Sequence, residues 1–481
     1  MKAVLNCFAS ASLCILLLSP SGCATRSRST ASPQPQPEPL QAGMAEIDIT
    51  PPVGFRMAGD FPERLSTGTH DPLKAKALVL RQGRKEVALV FCDLIGMSLN
   101  VSTNARALAS RKTGIPIANI VIAATHSHTG PSFNDVRSDY FHKVAVAKYG
   151  KDPQQTISYP PFLIKRLVKV IAQASANLAP AELEAGIGTQ TGLAFNRRYY
   201  MKNGKVAFNP GQLNPNIVGP AGPVDPDVGI LFLKNLTGQQ PIGGLTVFAM
   251  HCDSAGGTLF SADYPYFIQE TLRNAFGRDY ISAFGAGTCG NLNHIDVSKK
   301  EPYKGFDISK RLGNRLGETV LTSMPHLKPI DKPSLAVLSQ TLTLPLQEVT
   351  PQELADAKVN ISRLNDTNLD FYVKVRAVKA LDLASRGSTW PMEVQVFRLD
   401  ADTAIVCLPA EIFVEFGLAI KKASPFKQTI VISICNDRPC YVPTLKAFTE
   451  GSYEVTNSRL KPGGGEAMLE TATKLLQELH N

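Results

Sequence analysis

Two histidines separated by one residue lie in Thr125-His126-Ser127-His128-Thr129-Gly130-Pro131, directly after the apolar run Asn119 to Ala124. The run is short, β-branched and bounded by turn formers, the pattern of a buried strand whose end carries both imidazoles into a loop. Side chains two apart on extended backbone point the same way, so one ring can bind a metal while the other stands beside the bound water. The chemistry this suggests is metal-assisted hydrolysis; the alternative is a pair of polar loop histidines. A second apolar run, Gly243 to Met250, ends in His251-Cys252-Asp253-Ser254-Ala255-Gly256-Gly257, and a third, Ala404 to Leu408, ends in Pro409-Ala410-Glu411. Strand ends are where α/β proteins assemble sites, so Glu411 is a candidate third ligand. Its alternative is a helix N-terminal acid accepting from backbone amides.

The elements that must position these residues read as mixed α and β. Strands are expected at Ala75–Leu80, Val87–Phe91, Asn119–Ala124, Gly229–Leu233, Leu245–Met250, Val394–Leu399, Ala404–Leu408 and Thr429–Ile434. Helices are expected at Pro161–Ala174, Tyr266–Phe276, Ile308–Thr322 and Glu466–Leu479. Another opens at Thr350, with Pro351 in the first turn and Glu353 completing a capping box, and runs to Ala384. Ile412 to Ile420 is helix-like. Gly463-Gly464-Gly465 lacks the preceding strand and following Lys-Ser/Thr of a phosphate loop and reads as a hinge.

The chain of 481 residues shows no internal repeat and no polar linker after residue 42, which predicts one large mixed α/β (α+β) domain of mixed sheets flanked by helices, with two intimately packed lobes the alternative. A hydrophobic share of 44% and a charged share of 19% are those of a globular protein. The net charge of +9 is dispersed, with short pairs such as Arg197-Arg198 and no basic block, and aromatics are only 7%, so nucleic acid is not an expected partner.

Lys2, the apolar Ala9–Leu18 and the small residues before Cys23 form an export signal over residues 1–22, too short to span a bilayer. Small residues immediately before a cysteine resemble a bacterial lipoprotein cleavage site, making Cys23 the lipidated residue and the protein an exported, membrane-anchored lipoprotein, with simple secretion as the alternative. Residues 23–41, including Pro33-Gln34-Pro35-Gln36-Pro37-Glu38-Pro39, form a Pro/Ser/Gln-rich tether to the domain at 42–481. That domain holds six cysteines: Cys92, Cys252, Cys289, Cys407, Cys435 and Cys440. In an exported chain they permit disulfides, with Cys435–Cys440 and Cys252–Cys289 the candidate pairs and buried free thiols the alternative.

Taken in order, several segments resemble the catalytic domain of the neutral/alkaline non-lysosomal ceramidases. They are Ala42 to Gly54, Thr125 to Pro131, the strand ending in His251, the glycine loop Gly285 to Asn293, Leu408 to Glu411, and Tyr441 to Thr444 with Gly451 to Glu454. The resemblance covers residues 42 to 460 and implies a zinc-dependent amidase. It places zinc on His126, His251, Glu411 and Tyr441, makes His128 a proton shuttle or carbonyl contact, and gives Tyr453 the role of oxyanion donor, with an ordinary buried ring the alternative for each tyrosine. Arg197, in the family-like Asn196-Arg197 element, is implied as a polarising or positioning group; the alternative is a structural ion pair.

The chain also departs from the family. Where ceramidases carry a serine in the glycine loop, this chain has Asn293, and an amide can hydrogen-bond substrate but not attack it; His294 beside it is a further candidate substrate contact, its alternative a satisfied loop residue. After Glu454 the family's small-residue continuation is replaced, and the chain has no room before Asn481 for the family's C-terminal immunoglobulin-like domain. The expected function is therefore zinc-dependent hydrolysis of an N-acyl bond in a ceramide-like lipid. The alternatives are an amide, ester or lactone of a polar, sugar-derived compound, or a non-catalytic cell-surface binding module.

Overall fold

The computed structural model describes residues 11–12 and 39–481. The export signal apart from residues 11–12, Cys23 and the tether through residue 38 lie outside the described residues. Of the remaining tether positions, Leu40 is buried and Gln41 already opens the first strand, because Leu40 packs between two sheets.

The larger sheet uses Gln41–Asp48 (β1), Lys74–Gln82 (β2), Lys85–Cys92 (β3), Ile120–Ala124 (β4), Ala179–Thr189 (β5), Asp227–Asn235 (β6), Pro241–Phe248 (β7) and Ile281–Ala286 (β8). Their spatial order is β8-β7-β6-β5-β1-β2-β3-β4, and Lys328–Pro329 adds a short strand to β5. Pairings β7–β8 and β3–β4 are parallel and the others antiparallel, so the sheet is mixed. The smaller sheet, Ala336–Pro345 (β9), Thr389–Arg398 (β10), Thr403–Cys407 (β11) and Gln428–Ile432 (β12), runs in sequence order with a parallel last pair.

Period-two alternation builds a layered sandwich, because successive strand residues face opposite sides. In β4, Ile120, Ile122 and Ala124 face a core shared with helices, while Val121 and Ala123 face the second sheet. The helical side is covered by Leu99–Thr113 (α1), Tyr159–Ala176 (α3), Tyr264–Phe276 (α4) and Phe306–Ser323 (α5), with Val136–Tyr149 (α2) more peripheral. On the far side of the smaller sheet lie Val414–Ala423 (α8) and Gly464–His480 (α9). Pro351–Asn360 (α6) and Phe371–Ala384 (α7) form a pair beside them. No helix among the described residues is long and apolar enough to cross a membrane.

Three expectations change. The helix expected from Thr350 to Ala384 is two helices. Its capping box is present at Thr350, but Asn365-Asp366-Thr367-Asn368 turns the chain and Asp370 caps a new start by accepting from Val373 N at 3.1 Å. The glycine run is no hinge. Gly464 and Gly465 begin α9, and a Cβ on Gly465 would sit 2.2 Å from the Phe416 ring, so the glycine permits close contact between helices. All six cysteines among the described residues are free, buried thiols, and no disulfide forms. Cys435 instead lies beside Cys407 on β11.

Candidate metal and catalytic site

The ends of β4 and β7 deliver His126 and His251, but by a sharper route than an extended strand. His126 has φ of 71°, so the backbone reverses at the first histidine. The two rings of the His-x-His motif therefore converge through a left-handed kink, with their Nε2 atoms 3.4 Å apart. The same device recurs around the site. Ala410, Cys440 and Ser452, which precede Glu411, Tyr441 and Tyr453, have φ of 74°, 81° and 81°. Such residues carry strain of roughly 1–2 kcal/mol each, and non-glycine strain of this kind clusters at functional sites. Glu411 and Tyr441 are further held side by side as partners in a two-residue parallel ladder.

His126 Nδ1 lies 2.7 Å from Ile95 O, and His251 Nδ1 lies 2.8 Å from Cys289 O. A carbonyl only accepts, so both Nδ1 atoms carry the proton and both Nε2 atoms present lone pairs. These face Glu411 Oε2 at 3.3 and 3.5 Å. That oxygen is buried and accepts no hydrogen bond among the described residues. Two imidazole nitrogens and a carboxylate oxygen thus converge with no proton of their own between them, an arrangement that a divalent cation satisfies, and Arg197 Nη1 competes for the His251 lone pair by donating to it at 3.1 Å. Burial and the neighbouring Arg197 push the His251 pKa down to about 3, keeping the ring neutral. Burial raises the Glu411 carboxyl, but His126, His251 and Arg438 outweigh it and hold it well below the usual range. The donor set fits a metal.

His128 joins this cluster: among the described residues, His126, His128 and His251 bring their ligand atoms within 4.8 Å of one another. Its Nδ1 lies 3.6 Å from Asp253 Oδ1, leaving Nε2 turned toward His126. Burial drives the His128 pKa well down despite Asp253. Asp253 is itself gripped by Lys304.

Arg197 lies in the floor. Its Nη1 is 3.1 Å from His251 Nε2, Nη2 donates to Gly290 O at 2.8 Å, and Nε pairs with Glu454 at 2.9 Å. The guanidinium faces the rings of Tyr441 and Tyr453, at 5.3 and 5.9 Å from their centroids. Tyr453 Oη accepts from Asn457 Nδ2 at 3.2 Å, which leaves the phenolic proton free to be donated. Burial raises the pKa values of Tyr441 and Tyr453 above the ordinary tyrosine value.

The site opens into a cavity of about 120 Å³. His126, His128, Glu411, Tyr441 and Tyr453 line it, together with Arg137, Arg386, Arg438 and Arg459 and the apolar Phe61, Val136 and Val378. Asn293 and His294 are not among the residues that line it. Asn293 donates to Asn209 Oδ1 at 3.0 Å, and His294 Nε2 donates to Tyr303 O at 2.6 Å. The sequence pattern assigns no role to Asp253, Glu454 or the cavity-wall arginines Arg137, Arg386, Arg438 and Arg459. Asp253 sits two residues after His251 and Glu454 directly after Tyr453, so adjacency was the available signal.

Residues 40–264 match the family described as neutral/alkaline non-lysosomal ceramidase, N-terminal. Over those residues the chain is similar to that family. A curated relative, the neutral ceramidase of Pseudomonas aeruginosa, is 25% identical over 265 residues, covering 52% of this chain and 36% of the relative's length. Two solved structures share the fold. A crystal structure of neutral ceramidase from P. aeruginosa matches with TM-score 0.71 and 20% identity, covering 92% of this chain and 75% of that one. A ceramidase complexed with C2 matches with TM-score 0.70 and 18% identity over the same shares. The family likeness thus rests on the N-terminal half, while the fold likeness covers 92% of the chain.

Proposed function

We propose that this chain is a metal-dependent hydrolase of an N-acyl amide bond, with zinc held by His126, His251, Glu411 and Tyr441. The observation that carries the reading is the convergence of two Nε2 lone pairs on the unpartnered Glu411 Oε2. These residues would hold the cation, which when bound would supply Lewis-acid polarisation of a carbonyl and lower the pKa of a nearby water toward neutrality.

The chain's own groups complete the reaction. His128, neutral and backed by Asp253, takes a proton from the attacking water at Nε2 and passes it to the leaving nitrogen. The C–O bond forms, the C–N bond breaks, and the amine departs with that proton. Tyr453 donates its free phenolic proton to the oxygen that becomes negative, and Arg197, fixed by Glu454, adds positive charge beside it. Asn293 and His294 touch no substrate in this reading. Cys23 is the proposed lipid anchor of an exported protein. A ceramide-like N-acyl lipid is the substrate class that the family suggests. A polar N-acyl compound is the second reading, and the four arginines in the cavity wall favour it.

The test is turnover of a panel of N-acyl sphingosines, N-acyl amino acids and N-acyl amino sugars by the purified chain, before and after chelation and zinc restoration. The expected result is amide cleavage that chelation abolishes and zinc restores. His128→Ala should lower kcat by about 10²–10⁴-fold with zinc retained. Chelator-indifferent cleavage, or full activity of His128→Ala, contradicts the proposal; absence of turnover across the panel supports a binding module.

A further inference from the structure

The metal-side cavity shares a wall with a larger one of about 480 Å³, and Arg438 belongs to both. Among the described residues the Arg438 guanidinium makes one hydrogen bond, Nη1 to Glu411 Oε1 at 3.3 Å. A guanidinium carries five N–H donors in a planar fork that matches a carboxylate, so most of its capacity faces the cavities.

The nearest carboxylates are committed elsewhere. Asp437 accepts from Leu99 N at 3.1 Å, Arg438 N at 2.8 Å and Trp390 Nε1 at 2.6 Å. Asp135 accepts from Ser132 Oγ at 2.7 Å and from the amides of Arg137 and Ser138 at 2.9 and 3.0 Å. Arg386, on the same wall, spends its Nε on Asp382 at 3.0 Å and lies over the Trp390 ring at 3.3 Å, so it is not the free cation. The fold makes room for Arg438: a Cβ on Gly96 would sit 2.2 Å from its Cδ.

We infer that Arg438 anchors a carboxylate on the substrate, and that the substrate class is an acylated amino acid. The inference rests on reading the site as an amide hydrolase. One carboxylate, that of Glu411, separates the guanidinium from the two imidazoles. A comparable span separates an acyl carbonyl from the α-carboxylate of an N-acyl amino acid. With the carboxylate on Arg438 and the carbonyl beside His126 and His251, the acyl group lies toward Phe61, Val136 and Val378, the apolar side of the cavity. Arg438 is thus a specificity residue that selects anionic over neutral amides.

Trp390 is the single tryptophan of the chain and lines the larger cavity, so its fluorescence reports binding without turnover. The full zinc-loaded chain is titrated with N-acetyl-leucine and with its neutral counterpart N-acetyl-leucinamide, as wild type, Arg438→Gln and Arg438→Lys, with bound zinc measured in each. The expected result is a preference of tenfold or more for the carboxylate, lost in Arg438→Gln and partly kept in Arg438→Lys, with the amide weakened less than the carboxylate when the variants are compared at equal zinc loading. Equal affinity for the two ligands in the wild type, no binding of either, or an equal weakening of both in Arg438→Gln overturns the inference. Carboxylate-selective binding without cleavage of any N-acyl compound leaves the anchor standing and removes the hydrolase reading. Cleavage of N-acyl amides with no carboxylate preference does the reverse.

Discussion

Glu454 is fully buried and joins two buried arginines, and its replacement by Gln tests how the floor of the site is held. The wild-type carboxylate accepts from Arg197 Nε at 2.9 Å and Arg198 Nη1 at 3.1 Å. Removing one partner of a buried ion pair destabilises by roughly 3–5 kcal/mol, because a charge is left uncompensated. Here the lower end applies. Arg198 keeps Gly451 O at 2.9 Å and Glu450 at 3.2 Å, and Arg197 keeps Gly290 O at 2.8 Å, so about 3 kcal/mol is expected. With an unfolding entropy near 2.1 cal/mol/K per residue, a folded body of about 440 residues loses ~3 °C of Tm. The assay is calorimetry together with urea unfolding of Glu454→Gln beside Glu450→Gln, whose partly solvated pair should contribute about 1 kcal/mol or less. A double cycle with Arg197→Met should show coupling above about 1 kcal/mol. Full stability in Glu454→Gln, or additive losses in the cycle, would refute the claim that this carboxylate holds Arg197 in place.

Two further outcomes follow from the packing and charge. Gly465→Ala gains about 1 kcal/mol of helix propensity but meets the Phe416 ring at 2.2 Å, so a net loss of about 1–2 kcal/mol is expected in urea unfolding; a stabilised variant contradicts the close contact. Asp93 is buried, and burial raises its pKa to about 6 despite Lys76. A carboxyl whose folded pKa is raised binds its proton more tightly when native, so its contribution is full below pH 4 and is lost as pH rises through 6. Asp93→Asn should therefore gain about 2 kcal/mol relative to wild type between pH 4 and pH 7. A pH-independent difference removes that assignment.

Much of the framework was legible because strand periodicity and capping chemistry are local signals. The runs before His126, His251 and Glu411 are buried strands that end at one site, and the Thr350–Glu353 box stands as expected. The final approach of the side chains was not legible. It depends on left-handed backbone at His126, Ala410, Cys440 and Ser452, residue types that do not announce such conformations. The sequence left disulfides and buried free thiols both open, and it could not show that Cys435 neighbours Cys407, because the two meet through sheet order, not chain spacing. The arginines of the cavity wall come from α2, the bend after α7 and the segments around Tyr441 and Tyr453, so no window of sequence displays them together.

The central claim is that His126, His251 and Glu411 create one divalent-cation site. Its most direct test is zinc stoichiometry by elemental analysis of the purified chain, beside the His126→Ala/His251→Ala pair, Glu411→Gln, and His294→Ala as a control outside the cluster. The account predicts about one zinc per chain in the wild type and in His294→Ala, none in the double variant, and weakened retention against chelator in Glu411→Gln. A wild type that binds no zinc, or a double variant that binds as much as the wild type, contradicts it.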